Sequence, residues 1–243
     1  IYNRPSQEEM ERAKRYQDSI TIAQVEAAKL EAEAAAQSVQ ALTLDSTSLF
    51  FGANQGTEQF TTLENNLVKV TFSNKGGRVV SATLKDYKNQ QGEPLTLFNE
   101  QESAMNFAFE GKNENILTED MFFQPINVTD STVTMRLQTT GAGYIDFAYR
   151  LLPESYLVNF DIRAVGMQNF FPAAQKTVNI DWSQLARQQE KGYDFEQRYT
   201  SLTYKPVDDG ADYLSEMKDD KETFEEPMEW IAFKNQFFSS VLV

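Results

Sequence analysis

The chain has 243 residues, with 22 Lys and Arg against 36 Asp and Glu, a net charge of −14, and neither histidine nor cysteine. That balance repels phosphate backbones and anionic lipid, so no nucleic-acid partner is expected. The missing residue types exclude imidazole bases, Ser-His and Cys-His nucleophile pairs, most zinc sites and disulfides, which leaves carboxylate, Lys, Tyr and Arg chemistry.

Residues 6–41 read as one helix. Pro5 precedes a capping box of Ser6 and Glu9, and the body is rich in Ala, Glu, Gln and Lys. Its apolar stripe, with Met10, Ile20 and Leu30 among alanines, is too thin for a strong coiled coil. The segment is either a spacer or a solvated tail. A polar stretch follows, Asp45–Thr57. Strand-like alternation begins at Leu67–Phe72, turns at Asn74-Lys75-Gly76-Gly77, and resumes over Arg78–Tyr87. Further strands are expected at 94–98, 105–109, 121–128, 132–139, 144–152 and 156–164, with Pro153-Glu154-Ser155 as a turn between the last two. Residues 175–185 read as a strand, Gln184–Arg198 as a short charged helix, and Thr200–Val207 and Met228–Phe233 as strands. Between these two lies an acidic stretch, Lys205–Glu229, with ten Asp and Glu against three Lys, read as a solvated loop or hairpin, or as a partner surface. Eighteen Phe and ten Tyr suit such a β-rich chain. The expected division is 1–44 as a helical linker and 45–243 as a β-sandwich. No bilayer-spanning run of roughly 18 apolar residues occurs, and the abrupt ends read as those of a fragment.

Catalytic patterns are missing. Neither a phosphate-binding P-loop nor a G-x-S-x-G elbow occurs. Asp208-Asp209-Gly210-Ala211-Asp212 only faintly resembles a calcium loop and reads as a turn. Glu190, Asp194 and Glu196 are the carboxylates that a sugar-hydrolysing pair would draw on, with nothing to place two of them across a cleft. The nearby aromatics Tyr193, Phe195, Tyr199 and Tyr204 are candidates for a ligand or partner cleft, against the plainer reading as half-buried strand residues. Trp182 and Trp230 are expected in the core, and the aromatic strip Trp230–Phe238 as a strand leading into a second strand. No cofactor and no metal are expected.

Three segments carry a resemblance to a known family. They are Ile1–Glu9, the hairpin Leu67–Tyr87 with its Gly-Gly turn, and Glu229–Phe238 with its leading tryptophan. In this order they resemble the exit from the first transmembrane helix, the opening hairpin and a late strand of the large periplasmic domain of YidC membrane protein insertases. The resemblance implies a mainly β fold, a β-supersandwich like that of galactose mutarotases, behind a long N-terminal helix that follows a transmembrane anchor. It implies a domain facing the periplasm on an inner-membrane protein that helps membrane proteins insert and fold, alone or with the Sec translocon. Implied partners are nascent membrane proteins and the accessory subunits SecD and SecF. The insertase groove would lie beyond Val243, so no catalytic residue is carried over. Compared with the family domain, the chain is expected to stop before the last strands. Mutarotase chemistry is excluded because its acids are histidines. The alternative reading is a secreted or periplasmic carbohydrate-binding module.

Overall fold

The computed structural model describes residues 46–172 and 177–243, all within one unit, Leu44–Val243. The helix expected over 6–41, and positions 175 and 176 of the strand expected over 175–185, lie outside these residues. Among the described residues the strands are β1 (Phe60–Glu64), β2 (Val68–Ser73), β3 (Val79–Lys88), β4 (Pro94–Phe98), β5 (Ser103–Glu110), β6 (Asn115–Leu117), β7 (Gln124–Ile126), β8 (Thr132–Gln138), β9 (Tyr144–Leu151), β10 (Val158–Val165), β11 (Asn179–Gln184), β12 (Ser201–Pro206), β13 (Asp212–Ser215), β14 (Met228–Lys234) and β15 (Ser239–Leu242). One short helix, α1 (Tyr193–Gln197), stands between β11 and β12. The strands form four antiparallel sheets, ordered β1-β2-β3-β4, β10-β9-β8-β7, β11-β5-β6 and β13-β12-β14-β15.

Period-two alternation decides which side chains enter the core. In β8, Val133, Met135 and Leu137 are buried while the intervening Thr134 and Arg136 are not. In β9, Ile145, Phe147, Tyr149 and Leu151 point the same way. The β7–β10 sheet meets the first sheet through Phe72 and Tyr149, whose ring centroids are 4.7 Å apart. It meets the β5 sheet through Phe107 and Phe147, also 4.7 Å apart. Phe160 of β10 stacks on Tyr149 at 4.6 Å and meets Phe147 edge-on at 5.4 Å. The three sheets thus share one apolar core, and the chain is mainly β and sandwich-like. The fourth sheet attaches at the side, where Trp182 of β11 meets Phe233 of β14 edge-on at 4.6 Å.

The Gly-Gly turn forms as expected. Gly76 and Gly77 have φ of +78° and +65°, in the left-handed region where a Cβ is costly. A Cβ on Gly77 would also press on the Phe123 ring at 3.0 Å. The close approach puts the Gly77 carbonyl where the buried Tyr149 hydroxyl donates to it at 2.8 Å. Burial moves that phenol well above its usual pKa.

Several expectations shift. The 121–128 strand shrinks to β7, and the 184–198 helix to α1, five residues long. Three short strands, β1, β6 and β13, carried no clear signal. Trp182 and Trp230 are half-buried rather than central, because Trp182 lies on β11, the edge strand of its sheet where the fourth sheet attaches, and Trp230 on β14 of that fourth sheet, outside the main core.

Candidate functional site

Most of the sequence candidates lie on or beside α1. Helix α1 follows Gly192, whose φ of +92° turns the chain sharply into it. The loop before it is clamped to the sandwich from several sides. Leu185 N–H donates to the Glu102 carbonyl, and Arg187 pairs with the Glu102 carboxylate at 3.4 Å. Gln189 Nε2 donates to the Thr96 carbonyl of β4 at 2.8 Å, and Asn235 Nδ2 donates to the Arg187 carbonyl.

Glu196 closes the arrangement. It is 3% exposed, and its carboxylate accepts the backbone N–H of Gln189 at 3.0 and 3.1 Å and that of Glu190 at 3.1 Å. A charged acceptor for buried backbone donors is a strong anchor. Glu196 is therefore tied to the chain that precedes it and holds α1 against the loop. The carbonyl of Glu196 accepts from Thr200 Oγ1 at 3.3 Å. Glu190 meets this carboxylate through its backbone N–H alone, and Asp194 is exposed on α1.

With Glu196 held inward, its neighbours are turned out. Phe195 is 52% exposed and Tyr199 45%, and their rings touch at 5.3 Å. Tyr193 is exposed beside them. Tyr204 belongs elsewhere: it lies buried on β12, its ring 4.6 Å from that of Phe224. The structure thus brings Phe195 and Tyr199 together and sets Tyr204 apart. Beyond Tyr199 the Glu216 N–H donates to the Thr200 carbonyl, which brings the end of β13 and the exposed Met217 to the same place. The Glu216 carboxyl rests against Thr200 and Gln197. Its pKa is raised, first by loss of water there and then by the neighbouring Glu196 charge.

A polar cleft of about 360 Å³ opens beside the loop, lined by Asn89, Gln91, Glu93, Thr96, Arg187 and Gln188. The sequence reading missed it, because its walls are the β3–β4 connection and a loop about a hundred residues later. A smaller cavity of about 190 Å³ mixes Lys75 and Arg78 with Glu58, Glu100 and Glu119. Burial lowers the Arg78 pKa, and its guanidinium donates to the Ser103 carbonyl at 3.0 Å. Among the described residues no group of three or more Asp or Glu is placed to hold a metal ion. In the Asp208–Asp212 turn, Asp209 and Asp212 accept the next residue's N–H at 2.7 and 2.8 Å, as ordinary turn carboxylates do. No helix of the described residues is long and apolar enough to cross a membrane.

Comparison with known proteins gives the fold its family. The family described as YidC periplasmic domain matches residues 61–243. The chain belongs to it. The curated membrane protein insertase YidC of Phocaeicola vulgatus is 71% identical over the whole chain. That of Bacteroides fragilis is 50% identical over 99% of it, and that of Parabacteroides distasonis 39% identical over all of it. The chain spans 40, 40 and 41% of the length of these three relatives. The YidC match begins one residue into β1 and runs through β15, including α1 and the acidic stretch.

Proposed function

We propose that the chain is the accessory domain of an inner-membrane insertase, facing the periplasm and assisting insertion and folding of membrane proteins alone or with the Sec translocon. The observation that carries this is the 71% identity, across all of the chain, to a protein named for insertion. In this reading residues 1–44 link an anchor to the domain, and 45–243 are the domain.

The domain's work is binding and spacing rather than catalysis. The chain has no His or Cys, and Glu196, the candidate carboxylate with the deepest burial, already bonds two backbone donors. Nascent membrane proteins are the substrates of the whole machine, and SecD and SecF are the proposed partners on this side of the membrane. The aromatic residues Tyr193, Phe195 and Tyr199 are the proposed contact surface. With its family assigned, the carbohydrate-binding reading is not favoured.

Photo-crosslinking tests the binding role. A crosslinker placed at Phe195, Gln188 or Met217 of the intact protein should give adducts with SecD or SecF during insertion. If all exposed positions give none, binding is rejected and only spacing remains.

A further inference from the structure

We infer that the Phe195–Tyr199 pair, Met217 and the adjoining acidic hairpin form a docking surface for a basic segment of a resident protein partner, one that presents arginine beside an apolar side chain. This deepens the proposed function and rests on its periplasmic orientation.

The apolar part is held in place before any partner arrives. Phe195 and Tyr199 stay 52% and 45% exposed while Glu196, between them in sequence, is locked inward by three contacts to backbone N–H groups. The Glu216 N–H donates to the Thr200 carbonyl, so the backbone leading to Met217, 64% exposed, runs beside the residue that follows Tyr199. An already ordered backbone removes the loop-ordering cost of binding and leaves only that of side-chain rotamers, which is small for rings, and large aromatics are the residues that carry interface energy. The rings also offer faces to a guanidinium.

The charge around the patch selects the partner's sign. Lys205–Glu229 contains ten Asp and Glu against three Lys. Two of those lysines are already spent internally, Lys205 on Glu229 and Lys218 on Asp220. Asp194 and Glu216 stand directly beside the patch. Such a surface steers cations toward itself and repels anionic headgroups.

The same charge argues against a nascent chain as the occupant. Lys and Arg of membrane proteins concentrate in the loops left on the cytoplasmic side. Translocated loops reaching this domain are therefore poor in the charge that the patch selects, whereas a dedicated partner is free to carry it.

The test uses the intact protein in nanodiscs of zwitterionic lipid, with a fluorescent sixteen-residue peptide of arginine and leucine as the probe and its glutamate-for-arginine counterpart as control. Anisotropy should show binding of the arginine peptide alone, weakened about tenfold or more between 50 and 300 mM salt, as the Debye length shortens from about 14 Å to about 6 Å. The double change Phe195→Ser and Tyr199→Ser should weaken it at least tenfold at constant salt. Asp219→Lys with Glu222→Lys, both exposed, should slow association and leave dissociation nearly unchanged. Equal binding to the double serine variant would overturn the inference, since the attraction would then be the diffuse charge of the chain. So would binding to empty nanodiscs at the same strength, or no binding by the native protein. A protein that inserts substrates normally but ignores the peptide sinks this inference alone. One that binds the peptide and inserts nothing sinks the insertase reading alone.

Discussion

Replacing Glu196 by Ala should loosen the α1 region and destabilise the domain measurably. The change strands the N–H groups of Gln189 and Glu190, which the carboxylate accepts at 3.0–3.1 Å. A buried donor left without an acceptor costs about 1–3 kcal/mol. Gln189 is 3% exposed and bears that cost in full, while Glu190 is only half-buried and regains water. The sum is about 2–3 kcal/mol, or about 5–10 °C in Tm for a unit of this size. Glu196→Gln keeps the shape but turns an NH₂ toward one of the two donors, so about half of that loss is expected. Urea unfolding of residues 46–243, followed by the fluorescence of Trp182 and Trp230, reads the difference with an unchanged m-value. Hydrogen exchange should show the Gln189 and Glu190 amides losing protection first. An Ala variant within about 0.5 kcal/mol of the native protein would refute the anchoring role.

Four further outcomes follow from the same geometry. Tyr149→Phe leaves the Gly77 carbonyl without its donor and should cost about 1–2 kcal/mol in denaturant unfolding. Gly77→Ala, at φ +65° and with its Cβ against Phe123, should cost about 2 kcal/mol and is read as a fall in Tm. Arg136→Ala removes the fork that donates twice at 2.7 Å to Asp146, leaving a side chain that is 13% exposed without its cation; about 1–3 kcal/mol should be lost, and Arg136→Lys should restore only part. The raised pKa of Glu216 means that its protonated form is favoured by folding, so its contribution is present at low pH and is lost as pH rises through the ordinary carboxylate range. Glu216→Gln should therefore raise Tm slightly at pH 7 and leave it unchanged at pH 4, as differential scanning fluorimetry at the two values would show.

Strands with strong period-two patterns were legible in the sequence. Val68–Phe72, the Gly76-Gly77 turn and Thr132–Leu151 fall where alternation and turn chemistry place them, because those signals are local. The short strands were not. Phe60–Glu64 has adjacent threonines in place of a clear apolar face, and Asn115–Leu117 is three residues long. Asp212–Ser215 sits in the acidic stretch and is a strand because it pairs with β12. The expected 184–198 helix failed for a related reason. Propensity favoured it, but the Leu185 N–H donates to the Glu102 carbonyl and the Gln189 carbonyl accepts from the Gln90 N–H, so these backbone groups are used on distant segments and only the five residues after Gly192 are helical.

The site was legible as a set of residue types but not as an arrangement. The aromatic cluster at 193–204 could be seen, yet Tyr204 separates from it because β12 alternates Leu202, Tyr204 and Pro206 on one side. Nothing local announced that Glu196 would reach back six and seven residues to cap backbone N–H groups, or that Asn89 and Gln188 would share a cleft. The cap depends on the chain reversing sharply at Gly192, and the cleft on chain segments meeting across the fold.

Insertion of a model membrane protein into proteoliposomes, by the intact protein and by one in which residues 46–243 are replaced with a short flexible linker, tests the central claim that this domain assists an insertase without performing its chemistry. The account predicts that the excised form still inserts, at a reduced rate or with loss of the stimulation given by Sec components. Complete loss of insertion by a form that still assembles in the membrane would contradict it.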